Sequence, residues 1–221
     1  EAIAAITEAL PLLSKAIDRD HEADARLLLA YALRISDRPG EAPAHLDRAM
    51  TLAQALDDAT RRAKILGELG RAYLALDEAA MAAQKLGEAR DRFAELHLDA
   101  EAAAMDRQLG DAYRDLARVD DARTRVERAA GRHEQLEDHA SLADDERFLA
   151  SLASEAGDLK KAIALGRRAV ASARKAEDPD EEVDSLVALS HDLSRSGAWP
   201  EASTTLDEAL TISRGQGAPA D

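Results

Sequence analysis

Six alanines stand forty residues apart in this chain: Ala9, Ala49, Ala89, Ala129, Ala169 and Ala209. A second series keeps step with them: Ala2, Ala42, Ala82, Ala122, Ala162 and Ala202. A third runs Leu29, Leu69, Leu109, Leu149 and Leu189, each followed by a small residue: Ala30, Gly70, Gly110, Ala150 and Ser190. A single globular core gives no reason for one period along a whole chain. A stack of near-identical units, each burying its apolar face against its neighbours, does.

Each unit reads as helix, short turn, helix. First helices are expected near 20–36, 59–76, 99–116, 139–156 and 179–196. Second helices are expected near 1–17, 41–56, 79–97, 119–137, 159–177 and 200–214. Asp18, Asp58, Asp138 and Asp178 recur at the period, where an aspartate can cap the next helix. Leu98 breaks that series, with Asp99 one residue on. Pro179 behind Asp178 is a further start signal. Gly40, Gly157 and Gly197 mark reversals inside units. The opening stripe Ile3, Ile6, Leu10, Leu13 and Ile17 has the spacing of an amphipathic helix. The expected organisation is one array over 1–214: a second helix of a truncated repeat at 1–18, then repeats at 19–58, 59–98, 99–138, 139–178 and 179–214. Residues 215–221, rich in Gly and polar residues, read as a tail or linker. The chain begins at Glu1 without methionine, inside an expected helix, and reads as a piece of a longer protein.

Two units carry a more specific pattern. One has Leu66-x2-Leu69-Gly70-x2-Tyr73 followed by Ala82-x3-Leu86-x2-Ala89. The next has Leu109-Gly110-x2-Tyr113 followed by Ala122-x3-Val126-x2-Ala129. This resembles the tetratricopeptide repeat. The resemblance implies an all-α, right-handed superhelical solenoid of antiparallel helix pairs, with small residues letting helices approach closely. The chain departs from the family in its period of 40, in lacking the closing proline except at Pro179, and at Asp106 and Glu146, where a bulky residue is expected. Gly166 is expected to weaken its helix, and Trp199 to pack under a turn. HEAT-like and armadillo-like helical pairs are the alternative architecture.

Charge and composition narrow the function. The net charge is −15, which makes nucleic acid and anionic membrane poor partners. No apolar run reaches the length of a spanning helix, and no signal peptide is visible. With no cysteine there is no disulfide framework or thiolate metal site. None of the six histidines forms a His-x3-His pair, so no zinc site is expected. Gly67-x2-Gly70 falls within a helix and is no phosphate loop. No catalytic residue, cofactor or metal is expected. Abundant alanine and arginine, with asparagine absent, suggest a bacterial source, and a cytoplasmic location goes with it.

By the resemblance, first helices line a concave groove. The residues expected to bind a partner there are Tyr31, Arg34, Lys64, Arg71, Leu74, Arg107, Asp111, Arg114, Arg147 and His191. Arg71, Arg107, Arg114 and Arg147 could receive the carboxylates of an acidic segment. The other reading pairs them with Asp111, Asp115, Asp144 and Glu155 along the same helices. The chaperone-tail clamp of some family members uses Asn, which this chain lacks. The expected function is a protein-interaction scaffold binding a peptide or protein segment, as the sensor or regulatory part of a larger bacterial signalling protein. Alternatives are a self-assembly module, joined through terminal helices, and a regulatory domain acting on a phosphorylated signalling protein. For the last, Gln108 is the one glutamine expected on a first helix.

Overall fold

A computed structural model describes residues 2–36 and 38–216, the last without its side chain. Among them the chain is all helix and turn. Second-type helices are α1 (Ala2–Ala16), α3 (Ala42–Ala55), α5 (Ala79–Glu95), α7 (Val119–Gln135), α9 (Leu159–Ala176) and α11 (Trp199–Gln216). First-type helices are α2 (Arg19–Arg34), α4 (Ala59–Leu74), α6 (Asp99–Asp115), α8 (His139–Glu155) and α10 (Pro179–Arg195). A 3-10 turn, Pro39–Glu41, precedes α3. Every helix lies within about two residues of its expected position. α11 runs through Gly215 and Gln216, and the rest of the expected tail lies outside the described residues.

The chain divides into two compact units, Glu1–Ala122 and Arg123–Asp221. In the first, Leu29, Leu33, Leu46, Ile65 and Leu69 form one apolar cluster with Ala42, Ala49 and Ala72. Leu86, Phe93, Met105 and Leu109 form another with Ala82, Ala89 and Ala112. In the second, Val170, Leu186, Leu189 and Leu193 pack with Ala202 and Ala209. The periodic alanines from Ala42 onward are buried, as are all five periodic leucines. Burying one such leucine stabilises by roughly 1.5–3 kcal/mol. Gly70 shows why the neighbouring site is small: a Cβ there would lie 2.5 Å from Leu86 Cγ.

The turns are built alike. After the second-type helices, Ile17, Asp57, His97, Glu137 and Glu177 adopt φ between 52° and 59°. After first-type helices, Asp77, Ala117, Gly157 and Gly197 do the same with φ from 57° to 86°. The next amide then bonds back five residues, as Asp58 N to Ala53 O, Arg118 N to Tyr113 O and Ala198 N to Leu193 O. That is the left-handed Schellman closure, which satisfies carbonyls the helix end leaves open. Its last residue also starts the following helix. Asp18, Asp58, Asp138 and Asp178 accept from the amides of His21, Arg61, Ser141 and both Asp180 and Glu181, as expected. Asp158 caps α9 in the same way through Lys161 N.

The two departures from the repeat pattern are buried and find partners, and one expectation, at Trp199, needs correction. Asp106 and Glu146 are 3% and 2% exposed, yet each carboxylate is matched. Arg90 lies 3.4 Å from Asp106, while Glu146 takes Arg168 at 2.7 Å and the Ser172 hydroxyl at 2.9 Å. Trp199 is 66% exposed rather than packed beneath a turn. It is the first residue of α11, so its helix supplies no preceding turn for the ring to lie over.

Candidate functional site

In the first unit, α2, α4 and α6 bound an open cleft of about 310 Å³. α2 contributes Leu27, Leu28 and Tyr31; α4 contributes Lys64, Gly67, Glu68 and Arg71; α6 contributes Glu101, Ala104 and Met105. Phe93 of α5 closes the floor. Gly67 leaves the space that Met105 occupies, since a Cβ there would stand 3.1 Å from its Sδ. Leu28 and Tyr31 are 59% and 47% exposed, so the cleft presents apolar surface to solvent.

The rim charges are mostly spent on one another. Glu68 takes Arg71 in a short ion pair and Arg34 at 3.4 Å. Arg34 also lies over the Tyr31 ring, 5.2 Å from its centre. Arg71 Nε donates to Gln108 Oε1 at 3.1 Å. Gln108 thereby holds α6 to α4, the role opposite to an open water-orienting group. Lys64 and Glu101 make no ion pair among the described residues.

The expected site residues divide accordingly. Tyr31, Lys64 and Arg71 meet in the cleft, with Arg34 on its rim. Leu74 packs instead against the α4–α6 core. Arg107 and Arg114 both bind Asp111, at 2.9 and 3.3 Å. In the second unit Arg147 holds Asp144 at 2.7 Å and Glu181 at 3.0 Å. Burial pushes the Glu181 carboxyl above its ordinary value, against the lowering pull of Arg147. Burial works against the charge on Arg147 too, but its hydrogen bond to Glu181 and the carboxylates of Glu181, Asp144 and Asp184 raise its pKa. His191 is exposed and lies 3.6 Å from Asp192. Asp192 in turn takes the Ser154 hydroxyl, which Arg195 also contacts. Aspartate, not histidine, stands next to that serine, so the trio lacks the nucleophile-base order of a hydrolase.

The sequence reading missed Leu28, Phe93, Glu101, Ala104 and Met105. One signal was available: three successive leucines, 27–29, sweep too wide an arc of a helix for all to face the core. It also missed His133, 2% exposed and 2.7 Å from the buried Asp145. Among the described residues no group of three or more His, Asp or Glu could hold a metal. No described helix is long and apolar enough to cross a membrane.

Paired helices stacked at a fixed period, with a cleft between first helices, define a helical-repeat scaffold of the kind that binds other proteins. The tetratricopeptide-repeat family model matches residues 101–175. That match covers about a third of the chain, and the fold of the described residues is that of tetratricopeptide-like helical solenoids. BtubC from P. vanneervenii superposes with a TM-score of 0.84 at 18% identity, over 99% of this chain and 92% of that one. Aspartyl phosphate phosphatase F from Bacillus subtilis gives 0.74 at 14%, over 94% and 63%. A signal-transduction ATPase with a tetratricopeptide-repeat sensor, from Pyrococcus horikoshii, gives 0.80 at 13%, over 97% and 34%. No curated protein sequence matches this chain.

Proposed function

We propose that the α2–α4–α6 cleft holds an extended peptide segment of a partner protein, anchored by one large apolar side chain. The observation that carries this reading is the exposed apolar surface that Leu28 and Tyr31 give the cleft, with polar groups around it. Concave apolar sites with a few convergent polar groups are the usual form of a binding pocket. Lys64 and Glu101, unengaged at the rim, suit the carbonyls and amides of a peptide backbone. An acidic segment would first have to displace Glu68 and Asp111 from the arginines. The same reading makes the chain the sensor or regulatory part of a larger bacterial signalling protein in the cytoplasm. The Pyrococcus horikoshii ATPase, whose repeats are described as a sensor, supports that placement by fold.

The test is selection of peptides from a random library on the whole chain, followed by titration against Leu28→Glu with Tyr31→Glu. Both residues are largely solvent-facing, so the fold survives the change. Selected peptides should share a large apolar residue and lose about tenfold or more in affinity, about 1.4 kcal/mol. Peptides bound equally by wild type and variant would remove the cleft from the function. A second reading, self-association through α1, is favoured by Leu12 and Ile17, 69% and 75% exposed. Sedimentation at rising concentration tests it, and a constant monomer mass would end it.

A further inference from the structure

α9 departs from the rest of the chain in charge. Its residues Leu159–Ala176 include six basic side chains and no acidic one, in a protein of net charge −15. The six fall in pairs: Lys160 and Lys161, Arg167 and Arg168, Arg174 and Lys175. Each pair is seven residues, about two turns, from the next. At 3.6 residues per turn the six occupy an arc of roughly 140° and a length of about 22 Å. All six are exposed, while Ala162, Gly166, Ala169, Val170 and Ala173 on the opposite side are buried.

Half of this charge is engaged. Arg168 reaches from the exposed face to the buried Glu146. Arg167 meets Glu201 at 2.6 Å, and Arg174 meets Glu182 at 2.6 Å and Glu208. The bridges to Glu201 and Glu208 join side chains about half exposed on both sides, a kind worth about 0–1 kcal/mol. An incoming carboxylate can therefore share these arginines at little cost. Lys160, Lys161 and Lys175 make no ion pair among the described residues.

We propose that the outer face of α9 docks an acidic helical segment of a partner protein, with carboxylates repeating every seven residues along one side. The spacing matches two helices side by side, and an α-helix is about 10–12 Å across. That width fits the basic face and avoids its surroundings. α11 presents Glu201 and Glu208 beside it, and Glu182 of α10 reaches Arg174. A nucleic-acid duplex, with a major groove alone about 12 Å wide, would lay phosphates on those carboxylates. A flat anionic membrane would meet them too, and α9 carries none of the exposed large apolar residues that insert into lipid. This surface is separate from the α2–α4–α6 cleft, and the two readings stand or fall independently.

The experiment uses a labelled synthetic helix of about 22 residues, with glutamate pairs at seven-residue steps in an alanine and glutamine background. A second peptide has the same composition with the glutamates scrambled. Fluorescence anisotropy against the whole chain should show tighter binding of the regular peptide, weakening as salt is raised past about 0.1 M. Lys160→Glu, Lys161→Glu and Lys175→Glu together should cost about tenfold or more in affinity. The three-fold Gln variant should cost less, and the melting temperature should hold in both. Equal affinity in the Glu variant would overturn the proposal, as would equal affinity of wild type for the scrambled peptide. So would binding to duplex DNA or phosphatidylserine vesicles with none to the regular peptide.

Discussion

At the scale of single residues, Gly70 and Gly87 separate two uses of glycine within adjacent helices. A Cβ at Gly70 would meet Leu86 Cδ2 at 2.7 Å and the Leu86 backbone nitrogen at 3.1 Å. The side chain can turn away, but the backbone of α5 cannot yield without opening the helix pair. Nothing lies within 4 Å of the corresponding point at Gly87. Gly70→Ala should therefore destabilise by about 1–3 kcal/mol through overpacking. Gly87→Ala should stabilise by about 0.5–1 kcal/mol, the usual gain from replacing glycine inside a helix. Chemical unfolding of both variants checks this, and shifts of the same sign would contradict the close α4–α5 contact. The Leu-Gly step made Gly70 legible in the sequence, because it recurs at the period. The partners of Asp106 and Glu146 were not legible. Arg90 and Arg168 come from the neighbouring second-type helices, at offsets of 16 and 22 residues in opposite directions, which no repeat pattern announces. Among the arginines of the expected groove, the pairings of Arg107 and Arg114 with Asp111 and of Arg147 with Asp144 run within one helix and were among those the sequence offered. Glu68 serves Arg34 and Arg71 at once, and only the packing of α2 on α4 shows it.

At the scale of the element, helix ends obey a stricter rule than the residues at them suggest. Among the described residues nine turns place a residue in the left-handed region, and Gly157 and Gly197 are the two glycines there. The sequence shows reversals at those two and is silent at the seven others, because Ile, Ala and Glu disfavour the left-handed region and Asp and His only tolerate it. The forty-residue spacing of Ile17, Asp57, His97, Glu137 and Glu177 is visible only once the dihedrals are known. Placing a Cβ in that region costs of order 1 kcal/mol. Ala117, at φ 57°, is the cleanest site to recover it. Ala117→Gly should raise stability by about 0.5–1 kcal/mol, since part of the relief is returned as glycine's extra freedom in the unfolded chain. Thermal melts of this variant beside Gly157→Ala give the check: the first should rise and the second fall. A rise in both would show that the Schellman closures do not limit these turns.

At the scale of the whole molecule, the period decides how damage should spread. Helices that pack only on their neighbours give stability as a sum of local terms, and openings remain regional. An ordinary single core would instead lose protection everywhere at once. Gly70→Leu in the first unit and Gly166→Leu in the second pose the contrast. Gly70 is closed in by Leu86, and Gly166 by Leu189, whose Cδ1 would stand 3.2 Å from an added Cβ. Each substitution should overpack its own helix pair and leave the rest of the chain standing. Amide hydrogen exchange followed by mass spectrometry can read this peptide by peptide. With Gly70→Leu, protection should fall across α3, α4 and α5 while α9, α10 and α11 keep theirs. With Gly166→Leu the loss should appear in α8, α9 and α10, and α2 to α4 should be unchanged. The magnitudes need not agree, because the cost of overpacking depends on how far each site can relax. The locality is the test. Uniform loss of protection from either substitution would mean that the chain unfolds as one cooperative body, and that its forty-residue period organises the packing without dividing the stability.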